Sequence, residues 1–547
     1  MTTALTFSLC ERLNPLRLAG PLLDKELRVS SRRSRTYILR IGYVAIMCLF
    51  ALAAWYSIIG VPKANMASWG VSRSSLVGVR VTTHVLWFQF MAAQLIAAAM
   101  LSSSMADEIH RGGLSILLTT PISSIQIVLG KLFSRMWQVI LLLTISLPAL
   151  AVIRVMGGTT WDSLTSSFCI TLTASLFVGA MCLWLSTYCR YPHQVISTAA
   201  VIYLIVFVAL PAVAMVVFSI AKMDNPLVSS IIALANPRST LIASIYPPWY
   251  RRPLGPGYFH SWPIHCLIML GLTVVLLGLS ACRIRRVSVR GPGLGGANGP
   301  CRTFQCHCPI ILREFVGNLS YLLRWSLLLV IGVATVCALI VVGRIVLGRG
   351  SLVIYHARSI AWVCWTIALL HLTVLASGAI GREKAGRTLP LLLTTPLDER
   401  RIVRRKLREV VDRGIPWVVA AFAVETCYGV CAVNWEDTLA ALCYALAVLV
   451  SAFFVTTAGL YFGARLKTTA AAVVVTVGTH LFLRYVVVGY YNPIFVWLRY
   501  KVLLAPGAGM ATMSLFNWGP FLVVAVLEVG IGLSMLRRTP RILRRYA

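Results

Sequence analysis

Charge is scarce in this chain, and negative charge is the scarcer kind. Asp, Glu, Lys and Arg make up 12% of its 547 residues, against about a quarter in a soluble globular domain. Acidic residues number 17 against 50 Lys and Arg, for a formal net charge of +33. No pair of polar carboxylates, no Ser-His-Asp set and no glycine-rich phosphate loop can be read along the chain, so an enzymatic site has no support from the residues. The nucleotide-binding pattern Gly-x4-Gly-Lys-[Ser/Thr] is missing as well: "LGKLFS" lacks both its spacing and the hydroxyl after Lys131. The N-terminus has no basic start followed by a long apolar core, and no cleaved signal peptide is expected. Fifteen Cys is an odd count, and most, including Cys48, Cys169, Cys182, Cys337 and Cys443, fall in apolar runs. They read as small core residues, not as a disulfide framework. In "CRTFQCHC", Cys301, Cys306, His307 and Cys308 offer thiolates and an imidazole, but adjacent ligands in a flexible linker miss the usual zinc spacing. No metal is expected there.

What the chain does have is apolar surface. Hydrophobic residues make up 58% of it and the mean hydropathy is +0.81. About twelve apolar runs can be read, at roughly 36–60, 84–106, 134–156, 162–187, 195–220, 262–282, 325–347, 359–381, 414–433, 437–463, 470–489 and 519–536. The expected fold is therefore an all-α polytopic membrane protein of about 12 transmembrane helices. Lys and Arg cluster just outside these runs, as in "KELRVSSRRSR", "RIRRVSVR", Arg400 to Arg413 and "LRRTPRILRRYA". That placement fixes orientation and meets anionic headgroups, so no nucleic-acid partner is expected. Keeping these clusters untranslocated places both termini in the cytoplasm of a cell with this protein in its plasma membrane.

One segment occurs twice. "EIHRGGLSILLTTPISSIQIVLGKL" begins at Glu108 and "EKAGRTLPLLLTTPLDERRIVRRKL" at Glu383, aligned without a gap at an offset of 275. "PLLDKEL" and "PIILREF" precede each first span; Asp162-Ser-Leu and Asp437-Thr-Leu open each fourth span; Asn236-Pro237 and Asn492-Pro493 follow each fifth. Six spans per half imply two parallel six-helix repeats, residues 1–289 and 309–547, joined by a glycine- and proline-rich cytoplasmic linker at 290–308. In the repeated segment, proline ends a short first helix. Thr120 or Thr395 can then cap a second helix, with Pro121 or Pro396 at its first position. The apolar cluster ahead of it needs burial, either under its own bundle or in a socket on a cytoplasmic partner. Two equivalent knobs suit a dimeric partner with two equivalent sockets.

The pattern Glu-x5-Leu-x2-Leu-Leu-Thr-Thr-Pro-x5-Ile-Val-x2-Lys-Leu resembles the loop between the second and third spans of ABC-2-type transporter permeases. The "P-x-[LI]-x-[KR]-E-[LF]" element resembles the membrane-surface helix ahead of the first span in that family. The resemblance implies an exporter permease, two units fused in one chain. Its coupling loops would comprise Glu108, Leu114, Leu117, Leu118, Thr119, Thr120, Pro121 and Lys131 in one copy. In the other they would be Glu383, Leu389, Leu392, Leu393, Thr394, Thr395, Pro396 and Lys406. It implies that ATP is held by a separate ATP-binding-cassette subunit and no cofactor by this chain, with membrane lipids and further membrane subunits as the other partners. The copies differ: Arg400, Arg401, Arg404, Arg405 and Lys406 stand where the first has Ile125, Gln126, Leu129, Gly130 and Lys131. Either the loops dock unequally or the basic one rests on anionic lipid.

Ionisable residues within the apolar runs are functional candidates. Glu425 and Glu528 lie near the centres of spans nine and twelve, and His480 and Arg484 share a face of span eleven. They form either an internal lock, such as Glu528 with Arg484, or the relay of an ion-coupled secondary transporter, the alternative function. The aromatic stretches "YPPWYRRPLGPGYFHSW" and "YYNPIFVWLRY" read as interface anchors, with the resembled family's substrate path as the other reading.

Overall fold

The structure is a computed structural model that describes residues 34–59, 73–105, 123–155, 159–189, 192–211, 213–214, 226–245, 261–289, 352–385, 388–390, 398–430, 435–466, 468–484 and 510–544. All regular elements among the described residues are helical. Lipid offers backbone N–H and C=O groups no partner, and a helix satisfies them within its own segment.

The chain forms two compact units, Met1–Ala199 with Ala233–Arg302, and Ala200–Ile232 with Thr303–Ala547. The first half contributes α1 (Ser34–Ile59), α2 (Arg73–Leu101), α3 (Ser124–Val155), α4 (Trp161–Ser186), α5 (Pro192–Leu204), α6 (Pro226–Ala235), α7 (Pro237–Ile245) and α8 (Trp262–Val289). The second contributes α9 (Leu352–Ala385), α10 (Glu399–Val430), α11 (Trp435–Arg465), α12 (Thr469–Phe482) and α13 (Met510–Leu543). Apolar stretches long enough to cross a bilayer occupy six of them: Val81–Leu101, Ser124–Val155, Trp161–Ser186, Trp262–Ile284, Cys364–Gly381 and Cys443–Arg465. Leu39–Leu49, Gln194–Ala209 and Thr469–Phe482 are shorter apolar helices. Each of these stretches overlaps an expected run. The runs at 414–433 and 519–536 fall on α10 and α13, helices with an arginine-rich end, and the run at 325–347 lies outside the described residues.

In the first unit α4 is the central helix, packed against α2, α3, α7 and α8. A helix apolar on all sides belongs inside a bundle. Its buried hydroxyls are satisfied locally: Ser167 donates to the Ser163 carbonyl at 2.6 Å and Ser175 to the Thr171 carbonyl at 2.7 Å. Such bonds let a hydroxyl enter an apolar bundle without a partner on another helix. Thr160 caps α4 by accepting from the Ser163 N–H at 3.2 Å. Asp162 in the first turn accepts from Trp262 Nε1 at the start of α8.

In the second unit α11 takes the central place, against α9, α10, α12 and α13. Gly459 and Gly463 stand four apart on α11 and face Ala376 and Ser377 of α9. A Cβ at Gly463 would lie 2.7 Å from the Ser377 carbonyl oxygen. Small residues at this spacing let two helix backbones meet, which in lipid is a main source of helix association. The apolar cluster of this unit joins Leu372, Ala376 and Ile380 of α9, Val403 and Val410 of α10, Phe454 and Leu460 of α11, and Leu543 of α13. A π-helical turn, Ile205–Ala209, extends α5 and packs Leu204 and Val208 on Ile367 of α9. Residues 483 and 484, directly after α12, are also π-helical.

Gly463→Ala is expected to lower the melting midpoint of the detergent-solubilised protein, at a cost of about 1–3 kcal/mol for forcing atoms into backbone. Gly478→Ala, whose Cβ meets nothing within 4 Å, should leave it unchanged. Equal midpoints for the two variants would contradict the close α9–α11 contact.

Candidate functional site

The second copy of the repeated segment is fastened at both ends. Glu383 lies in the last turn of α9, and its Oε1 is 3.0 Å from Lys406 Nζ on α10. Its Oε2 accepts from the Thr388 hydroxyl, and its backbone carbonyl accepts from the Thr388 N–H at 3.0 Å. One carboxylate therefore closes the segment where it leaves α9 and where it returns on α10. Lys406 also lies 3.6 Å from Glu409 Oε2, whose other oxygen is 3.1 Å from Arg413 Nη2. The adjacent Lys384 turns to α11 and donates to the Ala464 carbonyl at 2.6 Å and the Leu466 carbonyl at 3.1 Å. The last carbonyls of a helix lack N–H partners, and a lysine there satisfies them and favours the dipole.

Leu389 is buried in the same cluster as Ala379, Ile380, Val403 and Leu543. Among the loop's described residues, it anchors the segment to its own bundle. Leu392, Leu393, Thr394, Thr395 and Pro396 lie outside the described residues. So do Glu108, Leu114, Leu117, Leu118, Thr119, Thr120 and Pro121 of the first copy. Lys131, which aligns with Lys406, is buried, and its Nζ donates to the Ser104 carbonyl at 2.8 Å, just past the end of α2. The lysine common to both copies therefore binds the end of the preceding helix in each unit, at a carboxylate in one and a carbonyl in the other.

The helix caps sit three residues later than the Thr-Pro pattern suggests. Ser123 caps α3: its Oγ accepts from the Gln126 N–H at 3.3 Å while Gln126 Oε1 accepts from the Ser123 N–H at 3.0 Å. This reciprocal box satisfies two free donors at once. In the other copy the Asp398 carbonyl accepts the first helical bond of α10, from Ile402 at 3.1 Å. Ser123 and Asp398 are equivalent positions at the offset of 275. Next to Asp398, Glu399 binds Arg544 at the end of α13, with Arg544 Nε and Nη2 donating at 3.0 and 3.3 Å. These hydrogen bonds from the guanidinium hold the Glu399 carboxyl below its ordinary pKa and raise that of Arg544.

Deeper in the second unit, His480 Nδ1 lies 3.0 Å from Glu528 Oε1, and Ser451 donates to Glu528 Oε2 at 3.1 Å. All three are buried. The Trp365 ring stands edge-on to His480, and the Arg484 guanidinium lies over that same ring at 4.3 Å. The structure thus joins α11, α12 and α13 through the partner pair Glu528 and His480, with Arg484 one turn beyond on an indole face. Paired polar groups in an apolar bundle fix the register of the helices that carry them. Glu425 is buried on α10.

Asn236 and Pro237 open α7, where Asn236 Oδ1 accepts from the Arg238 N–H at 3.0 Å and proline holds the first helical position. Asn492, most of the two aromatic stretches, and Cys301, Cys306, His307 and Cys308 lie outside the described residues. Among the described residues no three His, Cys, Asp or Glu gather as a metal site.

Two features were not read from the pattern of the chain. The Gly459-x3-Gly463 contact was visible as spacing within an apolar run. The Lys384 cap was not visible, because it joins residues 80 positions apart.

Compared with known proteins, residues 21–289 match a family model described as ABC-2 family transporter protein. No curated protein sequence matches the chain significantly.

Two outcomes follow. In a double-mutant cycle, Glu383→Gln and Lys406→Met should show a coupling of about 0.5–1 kcal/mol, modest because both groups are partly solvated; additive effects would mean the clamp is not formed. The Glu399 contact is complete above the ordinary carboxyl pKa and lost as pH falls through its lowered value. Amide exchange in the last turn of α13, corrected for intrinsic rate, should therefore rise in acid. Glu399→Gln should show the faster exchange already at neutral pH, and protection independent of both would contradict the contact.

Proposed function

We propose, from the match of residues 21–289 to the ABC-2 family transporter model, that the chain is the membrane-spanning permease of an ATP-driven exporter. On this reading two six-span units, twelve spans in all, are fused in parallel in one chain of the plasma membrane, with both termini in the cytoplasm. ATP is bound and hydrolysed by separate ATP-binding-cassette subunits, and this chain converts their motion into substrate passage.

The observation that carries the coupling role is the double fastening of the second loop. A segment that transmits force needs an exposed contact for the engine and a stiff attachment to the helices it moves. Leu392 and Leu393, with Leu117 and Leu118 in the first copy, are the proposed contacts. Glu383, Lys406 and the buried Leu389 form the attachment. Through Lys384 the same turn of α9 grips the end of α11, and α9 and α11 meet backbone to backbone at Gly463. A push on the loop would be delivered to that pair of helices with little slack.

The expected result is that Leu117→Asp combined with Leu392→Asp leaves the protein inserted and folded but unable to capture or stimulate a cassette ATPase. A double variant that still recruits and stimulates the ATPase would refute the coupling role. Leu389→Asp is a poor probe, since it damages the core. Cysteines placed at Ser115 and Thr388 should react with impermeant thiol reagents only from the cytoplasmic side.

A further inference from the structure

On α10, Arg400, Arg401, Arg404, Arg405 and Arg408 are all exposed, and their spacing puts them on one side of the helix. The same side continues as Val411, Ile415 and Val419, which are 41%, 49% and 59% exposed. The opposite side, with Ile402, Val403 and Val410, is buried. On α13 the change runs the other way along the chain: exposed Val526 and Leu533 come first, then exposed Arg537, Arg538, Arg541 and Arg544.

The Glu399–Arg544 pair gives the two helices a common level. Counted from it at 1.5 Å per residue, arginine gives way to exposed aliphatic side chains after about 18 Å on α10 and about 17 Å on α13. Two helices that change at the same height mark one boundary between hydrocarbon and the headgroup layer. Below it stand nine arginines on two neighbouring helices. Of the acids on the same segments, Glu399 is held by Arg544, and Glu409 by Lys406 and Arg413, which leaves Asp398 and Asp412 exposed among them. The surface keeps a large positive surplus.

The ledge is absent from the equivalent helix of the first unit. At the positions matching Arg400, Arg408 and Asp412, α3 carries Ile125, Phe133 and Trp137, which are 58%, 45% and 50% exposed. α3 presents apolar surface from its first turn, whereas α10 interposes about three turns of arginine before its apolar face begins. An ordinary basic flank that only sets orientation would not need this difference between copies.

We propose that the arginine ledge of α10 and α13 binds the phosphate headgroups of anionic phospholipids in the adjoining leaflet. Guanidinium forks pair bidentately with phosphate, and the aliphatic face directly above accommodates the acyl chains of the same lipids. The proposal is independent of ATPase coupling, since it concerns lipid contacts of the permease alone.

The test uses the full chain in nanodiscs of phosphatidylcholine mixed with phosphatidylglycerol, with electron spin resonance of spin-labelled versions of each lipid. The wild type should immobilise the phosphatidylglycerol probe in preference to the phosphatidylcholine probe. Replacing Arg400, Arg401, Arg404, Arg405 and Arg408 by Gln should reduce that preference at least about tenfold, given the strength of arginine at a charged membrane surface. The same five positions as Lys should keep most of it. If the Gln variant does not fold, Arg537→Gln with Arg538→Gln and Arg541→Gln should show a partial loss. A wild type with no preference, or a folded Gln variant that keeps the wild-type preference, overturns the proposal. Unchanged lipid preference with lost capture of a cassette ATPase would assign the arginines to a protein partner and overturn it too.

Discussion

Hydrogen-bond satisfaction away from water is the constraint on which the rest of this structure depends. An unpaired polar group in hydrocarbon is costly, and several in these bundles have a local answer. Hydroxyls along α4 bond carbonyls of their own helix. The free carbonyls at the end of α11 are taken by Lys384, and the region past α2 is closed by Lys131. Helix ends are where this constraint acts hardest, because four donors or acceptors are left over at each. The repeated segment sits at such ends, and its shared lysine binds a carbonyl there in the first copy and the Glu383 carboxylate in the second.

The two units solve the packing problem alike. In each, the helix of the fourth apolar run is central. In each half of the chain, π-helical residues extend the helix of the fifth run. Helices α3 and α10 start at equivalent positions, Ser123 and Asp398. π turns expose or redirect backbone groups and recur where helices must bend or bind. The units differ chiefly in polarity: the pair His480 and Glu528 and the arginines of α10 and α13 belong to the second.

Much of this was legible in the residues. Apolar runs of sufficient length located the helices, since the bilayer sets a length that few other structures need. The shared Glu and Lys of the repeated segment, 23 positions apart, stood out as loop residues, but the contact that the structure forms between Glu383 and Lys406 was not read from them. Cap position was harder to read. Thr120, Ser123 and Gln126 all offer capping groups, and only the reciprocal fit of Ser123 with Gln126 decides among those described. Partner choice for Glu528 was harder still: His480 and Arg484 share a face, and which of them meets the carboxylate depends on helix rotation that spacing alone does not fix. The burial of Leu389 likewise depended on a cluster that includes Leu543, from the far end of the chain.

The backbone contact at Gly463 and Ser377 has a mechanical meaning of its own. Where helices meet through long side chains, rotamer changes absorb small shifts and blunt them. Two ribbons in direct touch have no such cushion, so α9 and α11 behave as a single strut. Displacement at one end must then reappear at the other, and any bending has to be taken up at a softer element.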